Sequence, residues 1–150
     1  MKGRTYRYFQ KEPLWPFGYG LSYTTFNYSG LMLPAAPIAP SDPLNVRVMV
    51  TNTGKVEGDE VAQLYLKFPD VAGAPIRALR GFKRIHLKPG ASQQVEFHLQ
   101  GRDLSMVTEA GDILVAQGTY SLSVGGGQPD TAAPSVTGQF QVSQPMALPE

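Results

Sequence analysis

The chain has 150 residues, of which 42% are hydrophobic and 17% charged, with a formal net charge of +1. That length suits one domain with a single core, the composition is that of an ordinary soluble protein, and the near-neutral balance lacks the basic stripe that nucleic-acid binding requires. The lack of cysteine excludes a disulfide framework and a thiolate metal site, and no stretch reaches the roughly 20 apolar residues of a membrane span.

The opening residues MKGRTYRYF contain no apolar signal-peptide core. From Gly3 to Phe26 the chain reads GRTYRYFQKEPLWPFGYGLSYTTF, and nine of the 15 aromatic residues fall between Tyr6 and Tyr28. Pro13, Pro16, Gly18 and Gly20 interrupt this run. Proline removes a backbone donor and glycine offers nothing to pack, so neither a long helix nor a regular central strand is expected. So much apolar area must lie against something else. Gly18 and Gly20 do not form a phosphate loop, which needs a strand before it and a helix after it. Asn27-Tyr28-Ser29 is a formal glycosylation sequon.

From Leu31 to Pro43 the sequence LMLPAAPIAPSDP places four prolines in ten positions, which predicts a surface connection. Leu44, Val46, Val48 and Val50 then alternate with Asn45, Arg47 and Met49, the period of two of a half-buried strand that ends at Asn52-Thr53-Gly54. Glu60 to Phe68 is a second strand, with Ala62, Leu64, Leu66 and Phe68 on one side and Val61, Gln63, Tyr65 and Lys67 on the other. Arg77 to Leu87 is a third, closed by the tight turn Lys88-Pro89-Gly90. Val95, Phe97 and Leu99 mark a fourth. Arg102 to Val107 predicts a short helical or irregular turn, and Ile113–Val115, Tyr120–Val124 and Val136–Val142 supply three more strands. Short strands at roughly 8–12-residue spacing predict an all-β, immunoglobulin-like antiparallel β-sandwich of about seven strands over residues 44–143. Residues 1–43 form an irregular aromatic strap and linker ahead of it, and residues 144–150 a frayed tail.

Chemistry-bearing clusters are sparse. There is no nucleophilic cysteine, and His86 and His98 read as solvated strand residues without a carboxylate cluster beside them, a poor metal site. Glu57, Asp59 and Glu60 are the densest acidic group, within KVEGDEV, and read as a solvent-facing turn rather than a catalytic pair or a calcium loop. Arg77, Arg80, Lys83 and Arg84 are expected to project into solvent. Gly125 to Gly127 reads as a turn. No cofactor and no metal ligand set is indicated. The aromatic strap supports two readings. It is a protein contact, which favours Trp, Tyr and Phe, or a platform on which sugar rings stack. The prolines favour the first, because a stiff strap loses little entropy on docking.

Ordered blocks carry a family likeness. GRTYRYF (Gly3–Phe9), PLWPFGYGLSYTTFNY (Pro13–Tyr28), VTNTGKVEGDEVAQLYL (Val50–Leu66) and LRGFKRIHLKPG (Leu79–Gly90) resemble the C-terminal part of glycoside hydrolase family 3 enzymes. The last two are similar to the fibronectin type III-like domain of its β-glucosidases and β-xylosidases. FHLQGRDLSMV (Phe97–Val107) and GTYSLSVGG (Gly118–Gly126) continue in the same order. The resemblance implies a parent enzyme, secreted or periplasmic, that performs retaining hydrolysis on two carboxylates. One belongs to a (β/α)-barrel and the other to an α/β sandwich, and no segment here resembles either, so no catalytic residue is carried over. What the resemblance implies for this chain is a non-catalytic domain whose partners are those two catalytic domains, in cis or on a separate chain. Tyr6, Tyr8, Phe9, Trp15, Phe17, Tyr19 and Tyr23 are then expected at the interdomain contact. A module that targets the parent to polysaccharide is the alternative. Neither nucleic acid nor membrane is an expected partner.

Overall fold

The structure, a computed structural model, describes residues 5–11 and 13–149. Gly3 and Arg4 of the first aromatic block, and Glu150 of the tail, lie outside the described residues. The chain forms β1 (Phe26–Met32), β2 (Leu44–Asn52), β3 (Gly58–Lys67), β4 (Ala78–Leu87) and β5 (Ser92–Leu99). A single helical turn, α1 (Gly101–Leu104), leads to β6 (Met106–Val107), β7 (Ile113–Val115), β8 (Gly118–Gly125), β9 (Ser135–Val142) and β10 (Met146–Leu148).

Two antiparallel sheets form the layers, in the orders β1-β2-β5 and β4-β3-β8-β9, and a small sheet β10-β7-β6 lies with them. The period of two does the positioning. Leu44, Val46, Val48 and Val50 of β2, with Val95, Phe97 and Leu99 of β5, are buried in one cluster with Ala62, Leu64 and Leu66 of β3 and Tyr120, Leu122 and Val124 of β8. Each fully buried aliphatic side chain contributes about 1.5–3 kcal/mol relative to exposure. Turn chemistry closes the hairpin between β4 and β5: the Ala91 amide donates to Lys88 O at 3.0 Å, with Gly90 at φ 74° after Pro89, the positive φ that a type II turn requires. At the start of β8, Tyr120 Oη accepts from the Ala116 amide at 3.0 Å and donates to Ala116 O at 2.9 Å. This back-bonded tyrosine is a device of immunoglobulin-like sandwiches.

The antiparallel β-sandwich expected from the sequence is present, with ten strands among the described residues in place of about seven. The first difference is β1, which precedes the expected start at Leu44. Phe26 and Tyr28 are buried and alternate with exposed Asn27 and Ser29, and the strand pairs with β2 through Tyr28↔Val50. The alternation was concealed by the aromatic run around it. The second lies in the proline-rich connection: the Ile38 amide donates to Gln141 O at 2.9 Å and Ile38 O accepts from Ser143 at 2.9 Å, so it rests on the end of β9. The third is the tail, where Met146–Leu148 pairs with β7 instead of fraying.

Candidate docking face

The outward positions of β3 organise the face. In a half-solvated sheet Gln63 and Tyr65 would be exposed, yet they are 7% and 1% exposed. What covers them is the strap. Tyr6 stacks on Phe17 with ring centroids 4.1 Å apart and planes 8° from parallel, and it sets its edge toward Tyr65 at 6.4 Å. Tyr6 Oη accepts from the Leu79 amide at 3.1 Å, and Arg7 O accepts from Ile76 at 2.7 Å, which binds the first turn of the strap to β4 and the loop before it.

Gln63 is the clasp. Its Nε2 donates to Gly18 O at 2.9 Å while its Oε1 accepts from Tyr65 Oη at 2.7 Å. Gln128 Oε1 accepts the Phe17 amide at 3.1 Å. Gly18 is required twice at this point, since it sits at φ 76° and a Cβ there would lie 2.2 Å from Gln63 Oε1. Burial pushes the Tyr65 hydroxyl up to about 12, so it is a donor throughout the physiological range.

The expected contact residues therefore divide in two. Tyr6 is spent on the sandwich itself, and Phe17 gives one ring face to Tyr6 while remaining 46% exposed, close to the 49% of Tyr19. Trp15 and Tyr19 lean together on the outer side, centroids 4.9 Å apart and tilted by 44°. Trp15 is 70% exposed and Tyr23 fully exposed, while Tyr8 and Phe9 are just over one-third exposed. Leu14 and Leu21, which sequence reading passed over, are 95% and 89% exposed and add to the exposed apolar surface of the strap. Gln63 and Gln128 were also missed. An isolated glutamine carries no sequence signal for gripping a segment 45 residues away.

Three further expectations change. Arg77 and Arg80 do not project freely into solvent: Arg77 Nη1 donates to Pro129 O at 2.6 Å, and Arg80 donates to Ser105 O and lies 5.4 Å over the Phe68 ring. Burial depresses the Arg80 guanidinium below its ordinary value. His86 has the carboxylate neighbours that the sequence did not indicate, because register pairs Asp59 with His86 across β3 and β4. His86 Nδ1 is 2.8 Å from Asp59 Oδ1 and Nε2 is 3.6 Å from Glu57 Oε2, and Arg84 also binds Asp59. Glu60 turns away from its acidic neighbours and accepts from Tyr28 Oη at 2.8 Å, with burial raising both groups.

Comparison with known proteins agrees with this architecture. The family model described as a fibronectin type III-like domain matches residues 60–128. A β-xylosidase of Formosa agariphila is 47% identical over 122 residues, which cover 80% of this chain and 17% of the relative. A probable β-glucosidase D of Aspergillus niger is 41% identical over 145 residues, covering 83% of this chain and 19% of the relative. Among solved structures, β-glucosidase 3B of Thermotoga neapolitana matches 91% of the chain with a TM-score of 0.80 at 33% identity, over 18% of its own length. The β-glucosidase of Kluyveromyces marxianus matches 95% with a TM-score of 0.81, also at 33% identity, over 17% of its length. The chain thus spans less than a fifth of these proteins. It is homologous to the C-terminal part of glycoside hydrolase family 3 β-glucosidases and β-xylosidases, the part that holds their fibronectin type III-like domain.

Proposed function

We propose that this chain is a non-catalytic domain of a family 3 β-glycosidase that braces the catalytic barrel and α/β sandwich through the outer side of its aromatic strap. The parent reaction is retaining hydrolysis of terminal β-glucosides or β-xylosides. The observation that carries the reading is the two-sidedness of the strap. Tyr6, the Phe17 backbone and Gly18 tie it to the face over β3, and Leu14, Trp15, Tyr19 and Leu21 leave apolar surface exposed on the same segment. Burying each such side chain stabilises a contact by about 1.5–3 kcal/mol. Because the clasp already orders the ribbon, little conformational entropy remains to be lost on docking.

The test is a chimera in which this chain replaces the matched segment of the Formosa agariphila β-xylosidase. Bracing predicts that the chimera hydrolyses an aryl β-xyloside, that the chain alone does not, and that Trp15→Ala with Leu21→Ala lowers the chimera's melting temperature more than the chain's. Equal shifts in the two contexts contradict the proposal.

The exposed Trp15–Tyr19 ring pair favours a second reading, a stacking platform that holds the parent on polysaccharide. Retention of the chain on insoluble xylan or cellulose, lost in Trp15→Ala, supports it. No retention removes it.

A further inference from the structure

We propose that a small cleft on the outer face of β3, β8 and β9 binds a sugar acid, a monosaccharide-sized polyol that carries a carboxylate. Antiparallel register sets Tyr65, Ser123 and Thr137 in one row across the three strands, and Lys67, Ser121 and Gln139 in the next. The inward positions of β8 hold Leu122 and Val124, whereas these outward positions hold short hydroxyl side chains, which leaves a hollow over the sheet. The hollow measures about 300 Å³. That is the low end for small-molecule sites and suits one sugar ring rather than an oligosaccharide.

The chemistry of the walls is mixed in the way a sugar acid needs. Ile76 and Pro129 present apolar surface to the CH groups of a ring. Ser123 lies in the floor, is 5% exposed, and its Oγ has no hydrogen-bond partner. A buried hydroxyl without a partner is unfavourable, and since this Oγ is closed to solvent a rotation about χ1 is what would bring it to a ligand hydroxyl in the cleft. Ser121 Oγ has a long contact of 3.4 Å from Gln139 Nε2 and retains its own proton for donation.

Charge selects the acid. Lys67 and Arg77 both line the cleft against one carboxylate, Asp130, which is 3.7 Å from Arg77 Nη2 and 87% exposed. The rim therefore carries an excess positive charge, and a guanidinium and an ammonium suit a carboxylate better than a neutral hydroxyl. None of these groups belongs to the outer side of the strap, so the proposal stands apart from the bracing role.

Amide NMR of the isotope-labelled chain, titrated separately with sodium D-glucuronate, D-glucose and inorganic phosphate, tests it. Glucuronate is expected to shift the amides of Lys67, Ser121, Ser123 and Thr137 saturably, and glucose to move the same amides with about tenfold weaker affinity for want of the charged bond. Lys67→Met should reduce glucuronate to the level of glucose, and Ser123→Ala should weaken both sugars. The proposal is overturned if glucuronate produces no saturable shift at this face, if phosphate alone reproduces the pattern, or if both variants bind as the parent chain does.

Discussion

Gln63→Ala isolates the clasp that makes the strap two-sided. The change removes the donor to Gly18 O, a long 3.4 Å bond from the same Nε2 to Gly126 O, and the acceptor for Tyr65 Oη, whose other acceptor, Phe17 O, is 3.5 Å away. Two short hydrogen bonds at about 1 kcal/mol each, with the long one to Gly126 O adding little and buried groups left underused, put the loss at roughly 2–3 kcal/mol. For a chain of this size that corresponds to a melting temperature lower by roughly 4–12 °C. Thermal unfolding by circular dichroism measures it, with Trp15→Ala as the reference because that ring is 70% exposed and its loss should stay within about 0.5 kcal/mol. Limited proteolysis supplies a local readout: cleavage between Lys11 and Tyr23 should accelerate in Gln63→Ala well before global unfolding. If Gln63→Ala unfolds and resists protease like the parent chain, or if Trp15→Ala costs as much, the strap is not held as described.

Asn52→Ala should be more damaging, by about 3 kcal/mol or more in urea unfolding, because this fully buried amide accepts from Thr24 Oγ1 and Gly54 N and donates to Val56 O and Leu87 O. Gly81→Ala should cost about 1–3 kcal/mol in the same assay, since its Cβ would meet the Phe97 ring at 2.9 Å within the core. His86 is held above its ordinary value of 6.5, chiefly by its bond to Asp59, and Asp59 is held below 3.8, chiefly by Arg84 and then His86. The Asp59 contribution is present above about pH 3.8 and lost as pH falls through its lowered value. The His86 contribution is present below about pH 6.5 and lost as pH rises through its raised value. The stability difference between the parent chain and His86→Gln should thus be greatest between those limits and fade on either side, as Asp59 is protonated at low pH and His86 loses its proton at high pH, measured by unfolding across a pH series.

Residue pattern and fold agree best where one face alone is buried. β2 and the Val95–Leu99 part of β5 alternate strictly, so their core residues could be read directly. β3 departs from that rule because residues 62–66 are buried on both faces, the second by a segment far away in sequence. Period-two reading places Gln63 and Tyr65 outside, and nothing local says that a strap will cover them. β10 escaped notice since three residues are too few to show a period. Arg80 shows a related limit. Its charge suggests solvent, but its stem and guanidinium pack over Phe68, a placement fixed by tertiary contacts. The aromatic strap itself was legible from composition, while the division between its inward and outward rings was not.

The most direct test of the bracing proposal is hydrogen–deuterium exchange of the strap in the isolated chain and in the β-xylosidase chimera. Docking predicts that amides of residues 13–23 gain protection in the chimera, that β2 and β5 exchange equally in both, and that Trp15→Ala with Leu21→Ala erases the gain. Equal exchange of residues 13–23 in the two proteins contradicts the claim that the outer side of the strap rests on the catalytic body.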